Sequence, residues 1–369
     1  MIKNFKLKIK NSEDGFTLIE LLLVIAVVAV LATVSFVSIG NYGISNTLQR
    51  TGEEVAAAFR NTRQRSMSQE DGMAWGMHFS NAVAGQTYAS FGGTSYVSST
   101  SRNAYTLGNG ILFGNPPTST SVDVLFNPLT GYPNQNQIVS LVDGRRDGLV
   151  YDIAVNSLGS VEGKFWQGLV GYWPLDEGTG TTAYDASGNG NNGTLTNGPL
   201  WQSGSNCKIG SCLKFYSATS PVNVLGPGVS PQTTLTLTAW IDPAVYPTER
   251  STIILGSGGY YLSLASDGSV QTYWYGKTPS GYFSSGAGTV PLNTWSFVAA
   301  VWDSSSVSLY VNGALTSATS TTGSGNSSTV TNIGAENTAR QFNGSIDDVR
   351  IYSKALSAQD IQDLYNETQ

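Results

Sequence analysis

Gly15-Phe16-Thr17-Leu18-Ile19-Glu20-Leu21-Leu22-Leu23-Val24-Ile25 opens an apolar run that continues to Ile39, with a single carboxylate, Glu20, near its start. The uncharged stretch from Leu21 to Ile39 predicts a helix long enough to cross most of a bilayer. A lone acid at the head of such a span is costly and calls for a partner. Ahead of it stand Lys3, Lys6, Lys8 and Lys10 against Glu13 and Asp14. That lysine excess predicts a cytoplasmic N-terminus and an outward-facing remainder.

Beyond the span the apolar stripe continues as Ile44, Leu48, Val55, Phe59 and Met67 among charged and amide residues. Steps of three and four, or their sums, predict an amphipathic continuation of the same helix lying against a small sheet. Residues 73–79, 138–142 and 148–155 then read as short strands between Gly, Asn and Pro clusters such as Gly114-Asn115-Pro116-Pro117. Nothing anchors residues 80–137. From residue 166 aromatics thicken, with Trp166, Trp173, Trp201, Trp240, Trp274, Trp295 and Trp302. Residues 234–242, 269–275 and 295–302 alternate as strands, and Asn312-Gly313 between two such runs signals a hairpin. Many short strands with regular turns predict a sandwich or jelly roll. Ser357, with Asp360 three residues on and Ile361, Leu364 and Tyr365 on one face, predicts a closing capped helix.

Composition narrows the classes. The 369 residues are 40% hydrophobic and 12% charged, with 42 glycines and a net charge of −6. No basic footprint for nucleic acid exists.

Gly15, Phe16 and Glu20, with the apolar run behind them, resemble the type IV prepilin signal. The resemblance implies a prepilin peptidase that cuts after Gly15 and methylates Phe16. Glu20 would then neutralise the terminal ammonium of a neighbouring pilin or pseudopilin subunit, an attraction strengthened in a low-dielectric bundle. Residues 1–15 become the leader, and 16–70 the pilin helix with its transmembrane part at 16–39. The segment Glu53-Glu54-Val55-Ala56-Ala57-Ala58-Phe59-Arg60 and the stretch Gly148-Leu149-Val150-Tyr151-Asp152-Ile153 resemble the H-type minor pseudopilins, which implies an α+β module with a sheet-bearing head at 71–165.

Residues 166–369 resemble the laminin-G-like, concanavalin A-like jelly rolls. The carrying motifs are Gly171-Tyr172-Trp173-Pro174-Leu175-Asp176-Glu177-Gly178, Asp185-Ala186-Ser187-Gly188-Asn189-Gly190, Thr238-Ala239-Trp240-Ile241, Tyr310-Val311-Asn312-Gly313 and Gly344-Ser345-Ile346-Asp347-Asp348-Val349. After Leu213-Lys214-Phe215 the chain departs from the family, with Tyr216-Ser217-Ala218 where an Asp-Gly and an acidic pair usually stand. The resemblance implies one structural calcium ion held by Asp185 and Asp347, with Asp348 the second choice. The alternative use of Asp347 and Asp348 is to bond Arg350 or backbone amides.

Several local patterns carry less. Gly178-x-Gly180-x-x-Ala183 has the letters of a dinucleotide loop but no helix to receive the pyrophosphate. Asp185-x-Ser187-x-Asn189-Gly190 starts like an EF-hand, yet Thr196 stands where a bidentate Glu is needed. Cys207 and Cys212, an even pair on the outer side of the membrane, are expected to close a disulfide. His78 lacks the partners of a hydrolytic triad, and Asp176 and Glu177 are chain neighbours, which cannot face each other across a sugar. The reading is therefore not an enzyme. Tyr260, Tyr261, Tyr273, Trp274, Tyr275 and Tyr282 offer flat faces for a sugar, with Trp274, Tyr273 and Tyr275 the chosen contacts. Alternate residues of each strand must point inward, about half of these by that rule, and the sequence does not say which half. The expected function is a fibre subunit displaying a carbohydrate-binding or surface-binding head for adhesion. The alternative is a minor pseudopilin of a secretion machine whose head meets cargo or a partner subunit.

Overall fold

The computed structural model describes residues 18–83, 85–99, 101–108, 110–145, 148–216, 223–228 and 233–367. The expected leader, Gly15 and Phe16 lie outside them, and Glu20 is described only as a helical residue. The chain divides into two compact units, Met1–Asn46 and Thr47–Gln369. Helix α1, Leu18–Met67, begins in the first and ends in the second. In the first unit Ile19, Leu22, Leu23, Val24, Ile25 and Val27 are exposed. Among the described residues no helix is long and apolar enough to cross a membrane, so the span at 16–39 stays an expectation.

In the second unit the predicted stripe is the buried one: Leu48, Val55 and Phe59 are fully covered. Phe59 stacks on Phe79 at 4.9 Å and meets Phe126 edge-on at 6.3 Å. Two small antiparallel sheets, rather than one, receive the helix. The first runs Arg102–Thr106, Gly85–Gly92, Trp75–Ala82, Ser121–Phe126. The second runs Ile111–Asn115, Gln137–Asp143, Leu149–Val155, Val161–Gln167. Tyr151 of the second donates its hydroxyl to Glu53 at 2.6 Å. A Cβ on Gly52 would meet that ring at 2.2 Å, so glycine is what lets helix and sheet close.

The sandwich consists of two eight-stranded antiparallel sheets. One runs Leu200–Ser203, Ser211–Phe215, Gly344–Tyr352, Leu235–Pro243, Ser296–Trp302, Ser306–Val311, Ala314–Ser320, with Leu169–Trp173 beside the far half of Gly344–Tyr352. The other runs Thr182–Ala183, Gly193–Thr196, Asn223–Pro227, Val330–Ile333, Arg250–Gly256, Tyr260–Ala265, Val270–Trp274, Phe283–Ser284. Leu237, Ile241, Ile254, Leu262, Trp274, Trp302, Ile346 and Ile351 belong to the core between them. Asn312 and Gly313 have φ of 51° and 77°, the positive pair that their hairpin requires.

The first of these sheets is covered on its outer face as well. Trp240, Phe297 and Tyr352 pack there with Val150 and Trp166 of the second small sheet. Helix α2, Ala358–Asn366, adds Ile361 and Leu364, and Ser357 with Asp360 forms the expected capping box. Polar contacts cross the same junction. Arg350, fully buried, lies 3.1 Å from Asp152, 3.4 Å from Asp348 and 3.6 Å from Glu367, with its guanidinium 4.3 Å above the Tyr172 ring. Burial pushes Asp152 up although Arg350 opposes it. Gly114 is pressed against the Ala186 carbonyl, which a Cβ would meet at 2.3 Å. The described residues of the Thr47–Gln369 unit thus bring the sandwich and the small sheets together around shared buried side chains.

Candidate recognition face

Strand parity sorts the aromatic cluster. Tyr260 pairs with Trp274 and Tyr261 with Tyr273 across the Tyr260–Ala265 and Val270–Trp274 strands. Tyr260 shares its face with Leu262 and Leu264, and Trp274 shares its own with Val270, all in the sandwich core. Trp274, the first choice for a stacking contact, is 1% exposed and donates Nε1–H to the Asn326 carbonyl at 3.0 Å. It is a core residue, and that expectation is corrected.

The opposite parity makes a face. Tyr273 and Tyr275 meet edge-on at 4.6 Å, Tyr273 lies 5.3 Å from Tyr282, and Tyr261 lies 6.0 Å from Tyr275 and 6.3 Å from Tyr282. Tyr275 and Tyr282 are 38% and 39% exposed. Arg250 sits 4.6 Å over the Tyr282 ring, and Glu336 joins Arg340 at 2.8 Å and Arg250 at 3.8 Å. Burial, ahead of neighbouring charges, pushes the Tyr261 and Tyr282 hydroxyls up, so they stay protonated donors at neutral pH. Flat rings with hydroxyl and guanidinium donors can stack on and hydrogen-bond to a polar partner. Arg250, Glu336 and Arg340 escaped the sequence reading because they reach the face from other strands and turns.

The residues expected to hold calcium also make contacts within the protein. Asp185 accepts amides from Tyr172 at 2.9 Å, Ser187 at 2.9 Å and Asn191 at 2.8 Å, which ties the glycine-rich turn to the Leu169–Trp173 strand. Asp347 accepts the Lys208 and Ile209 amides at 3.1 and 2.9 Å on Oδ2. Asp348, at φ 49° beside a register shift against Leu235–Pro243, faces Arg350. Burial first, then the nearby Asp176 charge, pushes Asp347 well above the usual carboxylate range. Among the described residues no group of three or more His, Cys, Asp and Glu could hold a metal ion. Asp347 Oδ1 is buried without a partner, and calcium at Asp185, Asp347 and Asp348 stays an expectation.

Cys207 and Cys212 are disulfide-bonded, with Cα atoms 5.4 Å apart. Their loop has a use beyond closure: Ile209 packs with Ile138 and Ala154 of the second small sheet.

Residues 10–36 match the family described as the prokaryotic N-terminal methylation motif. Residues 217–362 match the laminin-G family described as the concanavalin A-like lectin/glucanases superfamily. No curated protein matches the chain. Among solved structures, domain 4 of AbnA, a GH43 extracellular arabinanase from Geobacillus stearothermophilus in complex with arabinotriose, is 20% identical at a TM-score of 0.41, over 55% of this chain and 98% of that one. The binding domain of Paraclostridial Mosquitocidal Protein 1 is 17% identical at 0.44, over 54% and 52%. The botulinum neurotoxin serotype G binding domain is 15% identical at 0.43, over 53% and 50%. The match spans about half the length of these two toxin domains.

The molecule thus joins a pilin-type N-terminal methylation motif to a β-sandwich similar to the concanavalin A-like domains.

Proposed function

We propose that this chain is a fibre subunit, cut and methylated by a prepilin peptidase, that displays its sandwich on a pilus for adhesion to carbohydrate or another surface ligand. One observation carries the reading. A processing motif of assembling subunits and a lectin-type sandwich with an uncovered tyrosine face stand on one chain. The tyrosine-guanidinium composition supports recognition, since such residues dominate binding hot spots. Single contacts of this kind are weak, and many heads on one fibre raise avidity through effective concentration.

The test is a glycan and matrix-protein array probed with the full chain, both as monomer and multimerised. Saturable binding that strengthens on multimerisation is expected. No binding in either form, together with fibre or secretion assembly that fails without the head, would replace adhesion with an assembly role in a secretion pseudopilus.

A further inference from the structure

Two guanidiniums and one carboxylate stand beside the rings of the tyrosine face. Glu336 Oε2 lies 2.8 Å from Nη1 of Arg340 and 3.8 Å from Nη2 of Arg250, so a single carboxylate oxygen is shared between two cations. Its other oxygen accepts the Tyr261 hydroxyl at 3.5 Å. Both guanidiniums oppose the burial that pushes the Tyr282 hydroxyl up, which places both at that ring. These three groups leave one positive charge in excess, on a chain whose net charge is −6.

Arg250 also holds donors that the protein does not use. Its guanidinium makes no hydrogen bond among the described residues, since Glu336 at 3.8 Å is beyond hydrogen-bond reach. Nε is buried, whereas Nη1 and Nη2 are not, and 16% of the side chain meets solvent. Arg340 gives only Nη1 to Glu336 and is 29% exposed. A planar pair of N–H donors matches the two oxygens of a carboxylate, and an equivalent edge of a sulfate. A neutral sugar would leave the excess charge unanswered. No cation covers Tyr275 among the described residues, and its half-exposed ring is free to stack. Tyr261 lies between the two features, 6.0 Å from Tyr275 and 5.8 Å from the Arg250 guanidinium, a span that an oligosaccharide covers.

We propose that the tyrosine face binds an acidic oligosaccharide, with a sugar ring on Tyr275 and a carboxylate or sulfate on Nη1 and Nη2 of Arg250, Arg340 beside it. This rests on the tyrosine face being the recognition surface and adds the charge of its ligand.

The test is binding of the multimerised full chain to surfaces coated with polygalacturonate, with its methyl ester, with dextran sulfate and with dextran. Binding to the acidic polymers that falls as salt rises, and little to the two uncharged ones, is expected. Preference for polygalacturonate indicates a carboxylate, and preference for dextran sulfate a sulfate. Arg250→Gln should weaken acidic binding about tenfold, the scale of one charge-assisted hydrogen bond, and Arg340→Gln serves should that variant fail to fold. Glu336→Gln removes the competing carboxylate and should strengthen acidic binding, a gain that a merely structural role for Glu336 would not give. Equal binding to the uncharged polymers, or acidic binding unmoved by these substitutions, would overturn the proposal and leave the tyrosine face as a surface for a neutral ligand. Binding to none of the four polymers would overturn it too, and the adhesive reading falls with it only where the glycan and matrix-protein array is silent as well.

Discussion

Tyr275 and Trp274 are chain neighbours with opposite duties. Trp274→Ala empties a core position and should cost about 3–5 kcal/mol, read by chemical denaturation. Tyr275→Ala should leave the denaturation midpoint within the scatter of surface substitutions while weakening ligand binding. The parity that separates them was written in the chain: Val270, Leu262 and Leu264 are apolar, while Gln271 and Ser263 are not. Reading those neighbours assigns Tyr260 and Trp274 to the core, whereas reading aromatic content alone does not. Arg350 is the other decisive residue. Truncating it to Ala strips the counter-charge from Asp152, Asp348 and Glu367 and should cost about 3–5 kcal/mol. Nothing local in the sequence announces that Asp152 lies opposite Arg350, because the pairing depends on how two sheets pack.

Among the elements, those with strong local codes were legible and those fixed by tertiary packing were not. The Asn312-Gly313 hairpin and the α2 capping box carry turn and cap chemistry in their own residues. Ser357→Ala should therefore cost about 1 kcal/mol, measured by thermal or denaturant unfolding. Arg102–Thr106 is exposed at every position, so no buried face marks that strand in the sequence. The Cys207 to Cys212 loop was legible as a bridge but not as a contact. Replacing both cysteines by Ser should cost about 2 kcal/mol from loop entropy, and more where Ile209 then leaves Ile138 and Ala154. Asp185, Asp347 and Asp348 enter as calcium ligands only through the resemblance; in the fold Asp185 and Asp347 accept backbone amides and Asp348 faces Arg350, contacts that no local pattern announces.

For the whole molecule, the junction acids set an unusual pH dependence. Asp176 and Glu177 are pushed up to about 7, against roughly 4 in an unfolded chain. Between those values the folded state holds protons that the unfolded state has released, so stability falls as pH rises through the window and levels off above it. Asp347 and Glu367, also raised by burial, act in the same sense. Acids held low, such as Asp143 and Asp303, withdraw stability only as the medium becomes more acidic than ordinary carboxyls. The melting temperature of the full chain should therefore be higher at pH 5 than at pH 8. At the other end of the chain, co-expression with a prepilin peptidase should yield an intact mass lacking residues 1–15 and bearing one methyl group on Phe16.

Whether the tyrosine face of the sandwich is its recognition surface is decided by a double variant. Tyr275→Ala with Tyr282→Ala removes the two most exposed rings while leaving Trp274 and the core in place. Each lost stacking contact is worth about 0.5–1.5 kcal/mol, so binding of the multimerised full chain to its best array ligand should fall about tenfold, with an unchanged melting temperature. Undiminished binding by the folded double variant would contradict the claim.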